Sequence, residues 1–153
     1  MVGDGSYLLM NSEIVTAVQE GLRLTVVLVN NHGFQSIHGL QRAVGSPSFG
    51  NELRFREEKT GRLTGDYVPV DFVKHAESMG AATFFAPTAA ALREALDARV
   101  DRIKVIVTPV DPERRVPGFE SWWDVPVAEV SSQDSVQRAR AEYERARRLV
   151  RVP

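Results

Sequence analysis

Two short segments of this chain hold residue types that could do chemistry together. Gly3-Asp4-Gly5-Ser6 sets a carboxylate between two glycines, and Asn30-Asn31 follows after the 24 residues of positions 6–29. Glycines let a backbone approach a ligand closely, and the free N–H groups at a helix start attract an anion. A carboxylate, a carboxamide oxygen and a backbone carbonyl aimed at one point are hard ligands. They suit Mg²⁺ or Ca²⁺, and Mg²⁺ completes its shell with phosphate oxygens and water. The chemistry this implies is a diphosphate bridged to the protein by a divalent cation. Either segment alone is more often a tight turn; the pair, separated by one helix and one buried strand, points to a site.

The two segments meet only if each ends a strand of one sheet. Asn11 or Ser12 can cap a helix to about Gly21, with Ile14, Val15, Val18 and Leu22 as its apolar stripe. Leu24-Thr-Val-Val-Leu-Val29 reads as a strand covered on both faces. Asp71 caps a helix through Met79 that Gly80 stops, 82–86 is a strand, Thr88 caps a helix to about Ala98, and 103–108 is a further strand. Such alternation predicts an α/β fold: three layers, a mostly parallel sheet with helices on both faces. In that fold both segments lie at the carboxyl edge of the sheet, where ligands bind. Residues 1–110 are expected to form this domain. Residues 111–153 form an extension, extended over 121–130 and helical over about 132–150, that packs on the domain or on a partner.

Composition excludes several classes. At 153 residues, 43% hydrophobic and 25% charged, the chain is one globular domain's worth. A net charge of −1 gives no field to draw it to nucleic acid or an anionic membrane. The absence of cysteine removes disulfides, thiolate nucleophiles and cysteine zinc sites, and leaves the cytoplasm as the default compartment.

The Gly3-Asp4-Gly5 and Asn30-Asn31 pair resembles the diphosphate-binding motif of thiamine diphosphate enzymes, and Pro69 to Ala81 looks like the helix that follows it in the acetolactate synthase and pyruvate decarboxylase branch. The likeness covers about positions 2–108. It implies that thiamine diphosphate and Mg²⁺ bind here. Asp4, the Asn31 side chain and the Gly33 carbonyl would be the metal ligands, and Gly3, Gly5, Ser6 and Phe34 would line the diphosphate. Asn30 to Ile37, Gly65 to Asp71 and Glu120 to Ser131 are similar to the ring-opening hydrolases of myo-inositol catabolism. Those enzymes cleave a C–C bond of a cyclic 1,2-diketone, a trihydroxycyclohexane-dione. An acetolactate synthase-like carboligase and a non-catalytic phosphate-binding or assembly module are the competing readings.

Family members of this kind also carry pyrimidine-binding and middle domains and work as homo-oligomers. Their cofactor-activating glutamate comes from a neighbouring subunit, and no glutamate of this chain sits in a matching motif. The strand before Asp4 is short, so a truncated protein, inactive alone, is expected.

Other residues have blander readings. His75 is expected half-exposed on a helix flank, His32 outside the reacting centre, and His38 in an uninterpreted loop. The stretch 30–69 lacks periodicity, and parts of 45–68 are expected to be disordered. Its Arg42, Arg54, Arg56, Lys59 and Arg62 suit a solvated or intersubunit loop better than a basic lid. Trp122 and Trp123 should face opposite sides, one toward the core and one toward a partner. The last helix should bury Val136, Ala139, Tyr143, Ala146 and Val150 and expose Arg138, Arg140, Arg145, Arg147 and Arg148.

Overall fold

Short β-branched runs separated by capped helices leave the chain few ways to bury its apolar faces, and a parallel sheet is the result. A computed structural model describes residues 1–114 and 124–149. Its strands are β1 (Val2–Gly3), β2 (Thr25–Asn30), β3 (Ala82–Phe85) and β4 (Lys104–Pro109). They form one sheet in the order β1-β2-β4-β3, with every pairing parallel. Around it lie α1 (Asp4–Leu9), α2 (Glu13–Gln19), α3 (Gln35–Ala43), α4 (Phe72–Ser78), α5 (Ala89–Asp97) and α6 (Asp134–Leu149).

Strand alternation divides the core in two. On one face Val105 and Val107 of β4 and Leu28 of β2 pack with Tyr7, Ile14 and Ala17 of α1 and α2 and with Phe72 and Ala76 of α4. On the other, Ile106 packs with Ala86 and with Ala95 of α5, flanked by Val27 and Phe84. Helices therefore cover both faces, as expected. Two of the three predicted caps form: Asp71 accepts a hydrogen bond from Lys74 N at 3.0 Å, and Thr88 accepts one from Ala91 N at 3.1 Å. The third does not: Ser12 precedes α2 without a side-chain cap bond, and the Asn11 carboxamide donates backwards to Leu8 O at 3.1 Å.

Three expectations need correction. The α2 stripe is narrower than its periodicity suggested: Ile14 and Ala17 are buried, whereas Val15 and Leu22 are 50% and 52% exposed. Strand β2 is fully buried only at Leu28, with its other valines partly covered. The stretch 30–69 begins with α3, and residues 45–68 are built into a hairpin-like excursion rather than left without structure. Phe55 N donates to Asp66 O at 2.9 Å, Val68 N to Leu53 O at 2.8 Å, and isolated antiparallel bridges join Gly33 to Glu52 and Arg54 to Tyr67.

The extension packs back on α3. Ser135 donates to Gly45 O at 2.7 Å, and a Cβ on Gly45 would lie 2.5 Å from Ser135 O, so only glycine permits the contact. On the predicted inner stripe of α6, Val136 is buried, whereas Ala139, Tyr143 and Ala146 are only half-buried. Arg140 departs from its predicted outer face: it turns inward, donates to Val127 O at 2.8 Å and pairs with Glu129 and Glu144. Residues 124–130 form no strand. Trp122, Trp123 and Val150 lie outside the described residues.

Candidate functional site

Register fixes the site. Gly3 pairs with Val29, so β1 ends beside the tip of β2 and delivers Asp4 next to Asn30 and Asn31. Asp4 opens α1 directly after the extended Gly3 and is fully buried. Its Oδ1 accepts hydrogen bonds from Gly5 N at 2.9 Å and Gly33 N at 3.1 Å, and its Oδ2 accepts from Gly33 N at 3.0 Å. The glycines are steric requirements. A Cβ on Gly5 would sit 3.0 Å from the Phe34 ring and 3.1 Å from Gly33 C, and one on Gly33, at φ +137°, would sit 2.3 Å from Asn51 O.

The Asn31 carboxamide points at the same spot. With its nitrogen turned inward it donates to Asp4 Oδ1 at 2.8 Å and to Gly33 O at 2.9 Å. With its oxygen turned inward, that oxygen takes the same place and three acceptors converge. An octahedral Mg²⁺ with bonds of about 2.0–2.1 Å spaces adjacent ligand oxygens by roughly 2.9 Å. The cluster already has two such edges, and a neutral amide and a cation are alternative ways to satisfy it. Among the described residues no group of three or more His, Cys, Asp or Glu side chains could hold a metal.

Asp4, Gly5, Asn31, Gly33 and Phe34 are thus brought together. Gly3 adjoins them, with open space where a Cβ would stand, and Ser6 sits in the first turn of α1 with its side chain exposed. Asn30 Oδ1 is buried without a hydrogen-bond partner. Asn30, Asp4 and His32 line one side of a cavity of about 230 Å³ whose other side includes Leu53, Val68 and Phe72.

Beside the turn lies a polar cluster that sequence reasoning missed. His32, the one non-glycine residue with positive φ among the described residues (+63°), stacks on Tyr67 with ring centroids 4.2 Å apart and planes 13° apart. The Arg54 guanidinium lies 3.8 Å from the Tyr67 centroid, too near to share that face, so the phenol is sandwiched. Tyr67 donates to Glu52 Oε1 at 2.8 Å, and Arg54 Nε pairs with Glu52 Oε2 at 3.1 Å. Burial alone would raise the Glu52 pKa, but hydrogen bonds from Arg54 and Tyr67 outweigh it and hold the carboxyl below its ordinary value.

His38 is not in a loop. It is buried on α3, bonded to Gln35 Oε1 at 3.1 Å and Ser48 Oγ at 2.6 Å, and 3.9 Å from Glu52 Oε2. His75 is half-buried as expected, with Nδ1 2.9 Å from the Tyr7 hydroxyl. The basic residues of 42–62 do not converge on Asp4. Arg54 is engaged as described, Arg42 pairs with Glu113 at 3.1 Å, and Lys59 and Arg62 are exposed.

Comparison with known proteins places this geometry. Residues 1–108 match the family described as thiamine pyrophosphate enzyme, C-terminal TPP binding domain. Among curated proteins, the chain is 43% identical over 141 residues to 3D-(3,5/4)-trihydroxycyclohexane-1,2-dione hydrolase 2 of Bacillus cereus, covering 91% of this chain and 22% of that protein. It is 39% identical, with the same coverage of each, to the hydrolase of that name from Clostridium botulinum (strain Eklund 17B / Type B). The Bacillus anthracis (strain CDC 684 / NRRL 3495) protein is 42% identical, again over 91% of this chain and 22% of the relative. The chain therefore spans about a fifth of the length of the curated relatives it matches. With 71% of its length in that match (108 of 153 residues), the chain belongs to the thiamine pyrophosphate enzymes and corresponds to their C-terminal cofactor-binding domain.

Proposed function

We propose that this chain is the part of a thiamine diphosphate-dependent hydrolase that holds the cofactor's diphosphate through Mg²⁺, and that the whole protein cleaves a C–C bond of a cyclic 1,2-diketone, a trihydroxycyclohexane-dione. The observation that carries this reading is the oxygen cluster of Asp4, Asn31 and Gly33, with edges of 2.8 and 2.9 Å. In it, Asp4 Oδ1, Asn31 Oδ1 and Gly33 O bind the metal, and one buried carboxylate supplies the anionic ligand. Backbone groups of Gly3, Gly5, Ser6 and Phe34 line the diphosphate. When bound, thiamine diphosphate supplies a carbon nucleophile and an acceptor for the electron pair of the breaking bond. The chain's own residues bind and orient. The names of the relatives favour the hydrolase over an acetolactate synthase-like carboligase.

On this reading the pyrimidine-binding and middle domains lie elsewhere in the protein, and the activating glutamate comes from a second copy in a cytoplasmic homo-oligomer. The apolar side chains that α1 and α2 leave uncovered support such a covering. Leu9 is 71% exposed and Met10 69%. Residues 1–110 form the cofactor-binding unit and 111–153 its extension. Titration calorimetry of the intact protein with thiamine diphosphate and Mg²⁺, paired with an assay of ring opening of the cyclic diketone, tests the proposal. Asp4→Ala is expected to abolish both binding and turnover. Unchanged cofactor affinity in that variant excludes the metal assignment, and binding without ring opening excludes the substrate.

A further inference from the structure

The turn that presents the metal oxygens is bent against its own preference. His32 has φ +63°, a conformation costly for a residue with a Cβ, and it separates Asn31 from Gly33. Rotation at His32 would move Gly33 O away from the Asn31 carboxamide, so the spacing of the cluster depends on what holds His32 still. Two backbone bonds clamp the turn from the 51–54 segment: Leu53 N donates to His32 O at 2.9 Å, and Phe34 N donates to Asn51 O at 2.7 Å. The imidazole is then held against the Tyr67 ring at 4.2 Å.

Tyr67 is itself fixed in a closed circuit. Its hydroxyl bonds Glu52 at 2.8 Å, Glu52 pairs with Arg54 at 3.1 Å, and Arg54 returns to the other face of the Tyr67 ring at 3.8 Å. Arg54 also donates to Gly65 O at 3.0 Å, which ties the two limbs of the excursion together. Four polar side chains, two of them forming a mostly buried ion pair, would be a costly way merely to cover a turn. Their arrangement suits a brace with one geometry.

We propose that Glu52, Arg54 and Tyr67 are positioning residues for the cation site: they lock His32 in its left-handed conformation and so preset the separation of the Asn31 and Gly33 oxygens. The inference rests on the metal reading given above and adds to it a part of the chain that touches neither metal nor diphosphate.

The test is a double-mutant cycle on Mg²⁺ affinity, measured by titration calorimetry of the intact protein at saturating thiamine diphosphate. Tyr67→Leu, which removes the ring, is expected to weaken Mg²⁺ binding about fivefold to tenfold. Tyr67→Phe, which keeps the stack but loses the bond to Glu52, should restore only part of that affinity. His32→Asn tolerates the backbone conformation but has no ring to stack, and should weaken binding to a similar degree. If the brace acts through His32, the double variant is no weaker than the worse single one. Additive losses, or a Tyr67→Leu affinity within about twofold of wild type, overturn the proposal. A general loss of packing would give additive losses too, so the cycle separates the two roles. Should Tyr67→Leu not fold, Glu52→Gln takes its place in the same cycle. Asp4→Asn serves as the control: retained Mg²⁺ affinity there overturns the metal reading itself, whereas lost affinity there with additive brace variants overturns the brace alone.

Discussion

Replacing Asp4 by asparagine separates what this residue does for folding from what it does for the cation. Its carboxylate is fully buried, and none of the ion pairs among the described residues includes it. Burying a lone carboxylate costs several kcal/mol. Two backbone donors, Gly5 N and Gly33 N at 2.9–3.1 Å, offset that cost with about 1.5–3 kcal/mol each, and the helix start adds about 0.5 kcal/mol. Asparagine keeps the shape and one acceptor oxygen, which at the Oδ1 position still accepts from Gly5 N and Gly33 N and can accept from the Asn31 NH2. The exchange gives up roughly 1–3 kcal/mol of charge-assisted bonding and regains the desolvation cost. Without metal, the variant should therefore match wild type or exceed it by about 2 kcal/mol. The ligand response should vanish. Saturation at a hundredfold excess over Kd stabilises a binding-competent protein by about 2.7 kcal/mol. Urea unfolding followed by circular dichroism, in EDTA and again with Mg²⁺ and thiamine diphosphate, reads both quantities. A loss above about 2 kcal/mol in EDTA would mean that the charge supports the fold, and the reasoning fails. A full Mg²⁺ response fails it equally.

Gly33→Ala drives a Cβ to 2.3 Å from Asn51 O at a φ of +137°, so it should destabilise the chain by about 3 kcal/mol or more and displace the 51–54 segment, which urea unfolding and amide exchange at Leu53 would report. Lys104→Met removes the ammonium that donates to Ala95, Leu96 and Ala98 carbonyls at 2.7–2.8 Å, and should cost about 2–4 kcal/mol in the same unfolding assay; a change under about 0.5 kcal/mol would mean that water replaces it freely. Burial pushes the Tyr7 hydroxyl from 10.0 up to about 12. Its neutral form is thus favoured by folding: the associated stability is complete below pH 10 and is lost as pH rises toward about 12. Alkaline titration of stability should show that loss, and Tyr7→Phe should shrink it.

The sequence made the sheet and its carboxyl edge legible because the signals are local. Asp71 and Thr88 cap helices through bonds three residues away, and β-branched runs need only their own neighbours to declare themselves. The pairing of Asp4 with Asn31 follows from parallel strands, whose carboxyl ends lie at one edge of the sheet. What stayed hidden is non-local or inverted in polarity. Helix α3 has an apolar period at Ile37, Leu40 and Val44, but it buries a histidine while leaving Ile37 and Leu40 54% and 42% exposed, so that period does not mark its core face. The brace joins residues 32, 52, 54 and 67 across a segment with no periodicity at all. In α2 the period was right but the buried stripe is narrower than it implied, because Val15, and Leu22 beyond the helix end, are apolar positions that this chain itself leaves uncovered.

Lys104 is the instructive case. A lysine at the start of a strand reads as solvent-facing, yet this one is 4% exposed. The sequence did contain a reason, displaced by several positions. Helix α5 ends at Ala98 with φ −58° and ψ +122°, with no left-handed glycine to satisfy its last carbonyls. Those carbonyls need donors from elsewhere, and a cation at a helix C-terminus also meets the negative end of the dipole. The first polar side chain of β4 is the nearest one that the sheet carries beneath that helix end. A helix that stops without its own cap is thus a signal to look in the next strand for the donor, which here is Lys104.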